Sequence, residues 1–198
     1  LIETLRLFAA LELPAPVLAQ LAALAESLRA DAPKDAVRWV RPEGVHLTLK
    51  FYGEVEAKRL KDLQAVLTEA ATAADPLTFT LAGIGAFPNL TRPRVIWAGL
   101  AGDIAALKRL QAAVEAASLR YGFAPEDKPF NPHLTLGRVN QPLRPQEHGR
   151  LANVLGQAKT PPGKPFTLDA LSLMRSELRR GGAHYTRLFS APLAIRNA

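Results

Sequence analysis

Apolar and polar positions alternate along much of this chain, and where steps of three and four replace the alternation the reading changes from strand to helix. Thr4 to Leu13, TLRLFAALEL, predicts a strand. Pro14 and Pro16 follow at a helix start, where a missing N–H does no harm, and Val17, Leu18, Leu21, Leu24 and Leu28 make one stripe that ends near Pro33. AVRWVRPEG and VHLTLKFYG predict two short strands around a turn at Pro42 to Gly44. A helix from about Glu56 to Ala74 comes next, with Leu60, Leu63, Leu67 and Ala70 facing inward.

The second half runs similarly. LTFTLAGIGAF and RVIWAGL predict strands joined by PNLTRP, a loop of turn formers that carries Arg92 and Arg94. Asp103 is placed to cap a helix with Ile104, Leu107, Leu110, Val114, Ala117 and Tyr121 along its stripe. KPFNPHLTLGRV predicts another strand and RPQEHGRLANVLGQA another helix. FTLDALSLMRSEL and AHYTRLFSAPLAI close the chain as a hairpin joined through RRGG.

HLTL occurs twice, at residues 46–49 and 133–136. Read with period two, His46, Thr48 and Lys50 face one way while Leu47, Leu49 and Phe51 face the other, and His133 and Thr135 repeat the arrangement. Each half thus offers a helix, an HLTL strand and another helix, a weak internal duplication without a Gly/Ser-rich linker. The expectation is an α/β (α+β) chain, 1–198, forming one bilobal unit. Two pseudo-symmetric lobes of mixed or antiparallel sheet, with helices outside, would bring the HLTL strands together in a central cleft.

Composition narrows the function. Nearly half the residues, 48%, are hydrophobic, enough for a real core. Lys and Arg outnumber Asp and Glu by 25 to 18, which favours a polyanionic partner such as nucleic acid. The absence of cysteine excludes disulfides, thiol nucleophiles and thiolate metal ligands. No run approaches the roughly 20 apolar residues of a membrane span, and the opening LIETLRLFAALELP has no secretory signal pattern, so a soluble cytoplasmic protein is expected.

Four histidines are present, and two of them fall inside the repeated tetrapeptide. Imidazole titrates near neutrality, so one ring can accept a proton while another gives one. A threonine two residues on shares the strand face and can donate to an oxyanion. A phosphodiester suits this set: its nucleophile must lose a proton, its leaving oxygen must gain one, and its non-bridging oxygens carry the charge. Metal chemistry finds no third ligand at fixed spacing and no HExxH. Glu43, Glu126 and Asp127 lie upstream of the two motifs in turn-like segments, as solvated carboxylates do. A serine nucleophile finds no G-x-S-x-G, and GIG at 83–85 is too short for a phosphate loop.

The two H-x-T-x motifs, with RLFAALELP, WVRPEGVHLTLKFYGEV, FPNLTRPRVIWAGL, FNPHLTLGRV and LSLMRSELRRGGAHYTRL around them, resemble the 2H phosphoesterases. Within that family they are most similar to the bacterial and archaeal RNA 2′,3′-cyclic phosphodiesterases, formerly called 2′-5′ RNA ligases. The resemblance implies a bilobal fold with a central cleft, no cofactor and no metal, and hydrolysis of an RNA 2′,3′-cyclic phosphate to a 2′-phosphate end. It gives His46 the part of proton donor to the leaving 3′ oxygen and His133 that of the acceptor that activates water, while Thr48 and Thr135 hold phosphate oxygens. These two roles exchange when the reverse, ligating direction is considered. Arg138 matches a basic position that often follows the second motif, although strict alternation turns it away from His133; Lys50 has the favourable parity.

Lys50, Arg138, Arg92 and Arg94 are therefore the candidates for substrate phosphate. Phe51 is expected in the core, with a base-stacking platform as its other reading; Trp39 and Trp97 are expected in the core, with a nucleotide pocket as theirs; Tyr185 is expected in a structural role in the hairpin, and His148 and His184 on the surface. RNA with a 2′,3′-cyclic phosphate, or a related nucleotide, is the expected partner, with no membrane and no obligate protein partner. The alternatives are a 2′-5′ RNA ligase, a 2′-5′ oligonucleotide or small cyclic nucleotide phosphodiesterase, a non-catalytic RNA-end-binding module, and a structural protein whose HLTL strands belong to the core.

Overall fold

The computed structural model describes residues 3–160, 163–180 and 182–194. In chain order the elements are β1 (Thr4–Glu12), α1 (Ala15–Asp31), β2 (Val37–Trp39), β3 (His46–Glu56), α2 (Leu60–Thr72), β4 (Leu77–Phe87), β5 (Val95–Gly102), α3 (Ile104–Arg120), β6 (Leu134–Val139), α4 (Pro145–Gln157), β7 (Phe166–Leu168), β8 (Ala170–Arg179) and β9 (Gly182–Pro192). The expected terminal hairpin is β8 and β9; Gly181 of its turn, with Leu1, Ile2 and Ile195 of the predicted ends, lies outside the described residues.

Two sheets form, one in the order β3-β1-β8-β9 and one in the order β2-β6-β5-β4-β7, with antiparallel neighbours throughout. β2 and β3, predicted around one turn, do not pair with each other. β2 adds to β6 in the five-stranded sheet and β3 to β1 in the four-stranded one. The turn at Pro42–Gly44 is a single 3-10 turn that carries the chain across, so His46 begins its strand directly after a crossover between sheets.

Alternation supplies each sheet with one apolar face. Leu7, Ala9 and Leu11 of β1, Leu47 and Leu49 of β3 and Leu171 and Leu173 of β8 are buried, as are Leu63, Val66 and Leu67 of α2, which lies against β8 and β9. Each such leucine contributes about 2 kcal/mol by leaving water. Leu134 and Leu136 of β6 belong to the same continuous core as Ile96 of β5. Asp103 occupies the N-cap position of α3, but its carboxylate accepts the Thr78 amide at 2.8 Å and does not cap the helix. The apolar faces thus fix both HLTL strands from behind, and on the other face of the four-stranded sheet Phe8, Ala10 and Met174 form a second, smaller buried cluster.

Candidate active site

The two strands carry the same irregularity at the same residue. Against β1, Ala10 pairs with Thr48 and Ala9 with Lys50, so Leu49 is an extra residue in β3. Against β5, Trp97 pairs with Thr135 and Ile96 with Gly137, so Leu136 is an extra residue in β6. A bulge of one residue reverses the alternation beyond it. The second leucine and the residue after it therefore both turn into the core: Leu49 with Lys50, and Leu136 with Gly137. The fifth residue after each histidine, Phe51 or Arg138, returns to the histidine face.

This overturns the reading of Lys50 as a phosphate ligand. Lys50 is 2% exposed, and its ammonium donates to Glu115 Oε2 and to the Ala124 carbonyl, both at 2.8 Å. Phe51, expected in the core, is 50% exposed and sits 5.4 Å from Phe8 on the histidine side. Arg138 is exposed on the face of Thr135 and His133, where the bulge resolves the parity conflict. Arg92 and Arg94 are exposed in the loop from β4 to β5; the Arg94 carbonyl accepts the Val139 amide at 2.9 Å, which fixes this loop beside the end of β6.

Each imidazole is held by aromatic rings and by its own backbone. The His46 ring stacks on Phe8 at 4.7 Å, meets Tyr185 edge-on at 4.9 Å and hydrogen-bonds the Gly44 backbone. His133 meets Phe87 edge-on at 4.9 Å, and its Nδ1 lies 2.7 Å from the Asn131 carbonyl. Because a carbonyl only accepts, Nδ1 of His133 carries a proton and Nε2 of the neutral ring is left as the acceptor. In both cases the backbone partner lies two residues upstream.

Thr48 and Thr135 are partly buried, and among the described residues neither hydroxyl is bonded to another protein group. β3 comes within 8 Å of β6 between Cα atoms, and a charge on His133 lowers the pKa of His46, so the rings act on each other. Two imidazoles and two unengaged hydroxyls, on strands of the two sheets that approach one another, can together exchange protons with, and donate to, a bound anion.

Burial pushes His46 down from the ordinary 6.5 to about 4, with the Gly44 bond and the Glu12 charge opposing it and His133 adding to it. Glu12 stands opposite His46 in the β1–β3 ladder, and its Oε1 accepts from Ser172 Oγ at 2.5 Å and Arg187 Nη1 at 3.2 Å. A buried neutral histidine takes up its proton first in the unfolded chain, so its share of stability is whole above pH 6.5 and is lost as pH falls towards 4. The loss amounts to about 3 kcal/mol. Urea unfolding at pH 7 and at pH 4.5 is expected to give a smaller acid loss for His46→Gln than for the parent; equal losses contradict this assignment.

Other residues need correction. Trp97 leaves the core face: its indole covers Gly85, where a Cβ would collide with the ring, and lies 5.4 Å from Phe87, the ring that meets His133 edge-on. Trp39 is partly buried and packs on the core, as expected. Tyr185 is no mere hairpin residue, since its ring touches His46. His184 is exposed, but His148 is partly buried, with Nδ1 shielded and unpartnered among the described residues. Phe8, Phe87, Glu12 and Tyr185 are the site residues that sequence reading missed or misjudged; the apolar or charged strand positions of the first three gave no hint of the histidine face.

Among the described residues no group of three or more His, Cys, Asp or Glu side chains gathers as a metal site would require. No described helix is long and apolar enough to cross a membrane.

A family model described as LigT like Phosphoesterase matches residues 11–97 and 100–185. The RNA 2′,3′-cyclic phosphodiesterase of Methanothermobacter thermautotrophicus is 33% identical over 150 residues, 76% of this chain and 79% of that protein. The protein of the same name from Thermus thermophilus is 33% identical over 191 residues, 93% of this chain and 88% of its own. Among solved structures, that of TT0787 of Thermus thermophilus superposes with a TM-score of 0.76 at 31% identity, covering 95% of this chain and 97% of that one. Escherichia coli LigT complexed with 3′-AMP also gives 0.76, at 28% identity, covering 98% and 100%.

Proposed function

The chain belongs to the LigT-like phosphoesterase family, and from that premise we propose that it hydrolyses RNA 2′,3′-cyclic phosphate ends to 2′-phosphate ends by paired histidines, without a metal. One observation carries the reading: His46 and His133 stand at the starts of strands of the two different sheets that approach one another and repeat one another down to the bulge, each with an unengaged threonine hydroxyl two residues on. Water attacks phosphorus and gives its proton to the accepting imidazole as its oxygen bonds to phosphorus. The bond from phosphorus to the 3′ oxygen breaks, and that oxygen takes a proton from the other imidazole, leaving a 3′ hydroxyl beside a 2′-phosphate. Thr48, Thr135 and Arg138 face the oxygens on which charge gathers.

Family resemblance makes His46 the donor and His133 the acceptor. The low pKa of His46 favours a second reading with the roles exchanged, because a ring held neutral in the free protein is ready to accept a proton. For His46 to donate, the negative charge of the bound phosphate must restore its proton.

The test is end analysis of RNA after incubation, with and without EDTA, set beside 2′-5′-linked oligomers. Cyclic ends are expected to become 2′-phosphate ends at a rate that EDTA leaves intact. Formation of 3′-phosphate ends, or loss of turnover with the chelator, contradicts the proposal.

A further inference from the structure

Arg38 stands directly opposite Arg138 in the β2–β6 ladder. The flanking pairs, Val37 with Val139 and Trp39 with Gly137, turn towards the core, so both arginines leave on the face of Thr135 and His133, and both are exposed. Like charges directly opposed on neighbouring strands destabilise a sheet. A carboxylate nearby would relieve them, as carboxylates hold Arg29, Arg120 and Arg144 elsewhere on the surface. Among the described residues Arg38 and Arg138 have no such partner. This is a pair of forked cations set in register and left without an anion, a geometry suited to bidentate capture of phosphate.

Its place gives it direction. Across the bulge Thr135 and Arg138 stand opposite Trp97 and Val95, two residues of β5 apart or about 7 Å along the strand, and Arg38 lies one strand further out, on the edge strand β2. A 2′,3′-cyclic phosphate is a 3′ terminus, so the rest of an RNA bound there leaves from its 5′ side. Resting on the function proposed above, we propose that Arg38, beside Arg138, binds the phosphodiester 5′ to the reacting nucleotide, and so makes the enzyme prefer an RNA strand to a mononucleotide. A phosphate taken up there releases its counterions, and binding becomes more sensitive to salt.

The experiment compares the parent with Arg38→Gln on a pentaribonucleotide ending in a 2′,3′-cyclic phosphate and on the matching cyclic mononucleotide. The ratio of kcat/KM for pentamer to mononucleotide is expected to fall about tenfold, with the change carried by KM. The slope of log KM against log salt for the pentamer should become shallower by about 0.7, the value for one phosphate of a single strand. Equal losses on both substrates, or no loss on either, overturn the proposal. Should the parent turn over neither substrate, the proposed function fails on its own account. The Kd ratio of a 2′-phosphate-ended pentamer to the 2′-mononucleotide then decides the role of Arg38, which is overturned if Arg38→Gln keeps the parent's ratio.

Discussion

Alanine at either His46 or His133 is expected to lower turnover of cyclic-phosphate RNA by about a thousandfold, the scale on which a positioned acid or base acts. Neither ring sits in the continuous apolar core, so folded variants should retain a cooperative melt. The two losses are not interchangeable in kind. A substrate with sulfur in place of the bridging 3′ oxygen has a leaving group that needs no proton, so the variant lacking the donor regains turnover with it and the variant lacking the acceptor does not. Rescue of His46→Ala assigns donation to His46, and rescue of His133→Ala assigns the exchanged roles. Turnover of either variant within a few fold of the parent on ordinary RNA sinks the paired mechanism.

Lys50→Met is expected to destabilise the fold by about 2–4 kcal/mol, because breaking a buried ion pair leaves the remaining charge and acceptor without a partner. The side chain of Lys50 is 1% exposed and that of Glu115 is 21%, so water compensates the carboxylate only in part. Neighbouring bonds make the site a clamp: the Tyr52 hydroxyl meets Ser118 Oγ at 3.0 Å and the Phe51 amide donates to Glu126 Oε1 at 3.0 Å. Three successive residues of β3 are thereby tied to α3 and to the segment leading to His133. Adding Glu115→Gln to Lys50→Met should recover part of the loss, a coupling that a urea double-mutant cycle measures. A single variant as stable as the parent, or strictly additive losses, would falsify the clamp.

The candidate site was legible because it lies in residue identity: HLTL twice, with histidine and threonine on one side and leucines behind. The sheet faces followed from the same alternation. Hidden from that reading were the bulges, since HLTLKF scans as six residues of unbroken period two, and one extra residue in a strand leaves no mark on the pattern. Lys50 and Phe51 were misplaced for that single reason, and a charged residue is by default assigned to solvent. Arg138 held the one available clue, a basic residue matched to phosphate yet of the wrong parity. The pairing of β2 with β6 was hidden too, because sequence neighbours are expected to pair and a 3-10 turn that changes sheets resembles any other Pro-Gly turn.

A pocket made from two like strands offers a ligand two ways round, equal in energy as far as the shared tetrapeptides can tell. The fifth position breaks this degeneracy. Phe51 presents a ring on one side where Arg138 presents a cation on the other, so a nucleotide that turns end for end would set its phosphate against benzene and its base against guanidinium. On the function proposed above, strand polarity would be read at the position of the histidine face where the two copies present a ring and a cation.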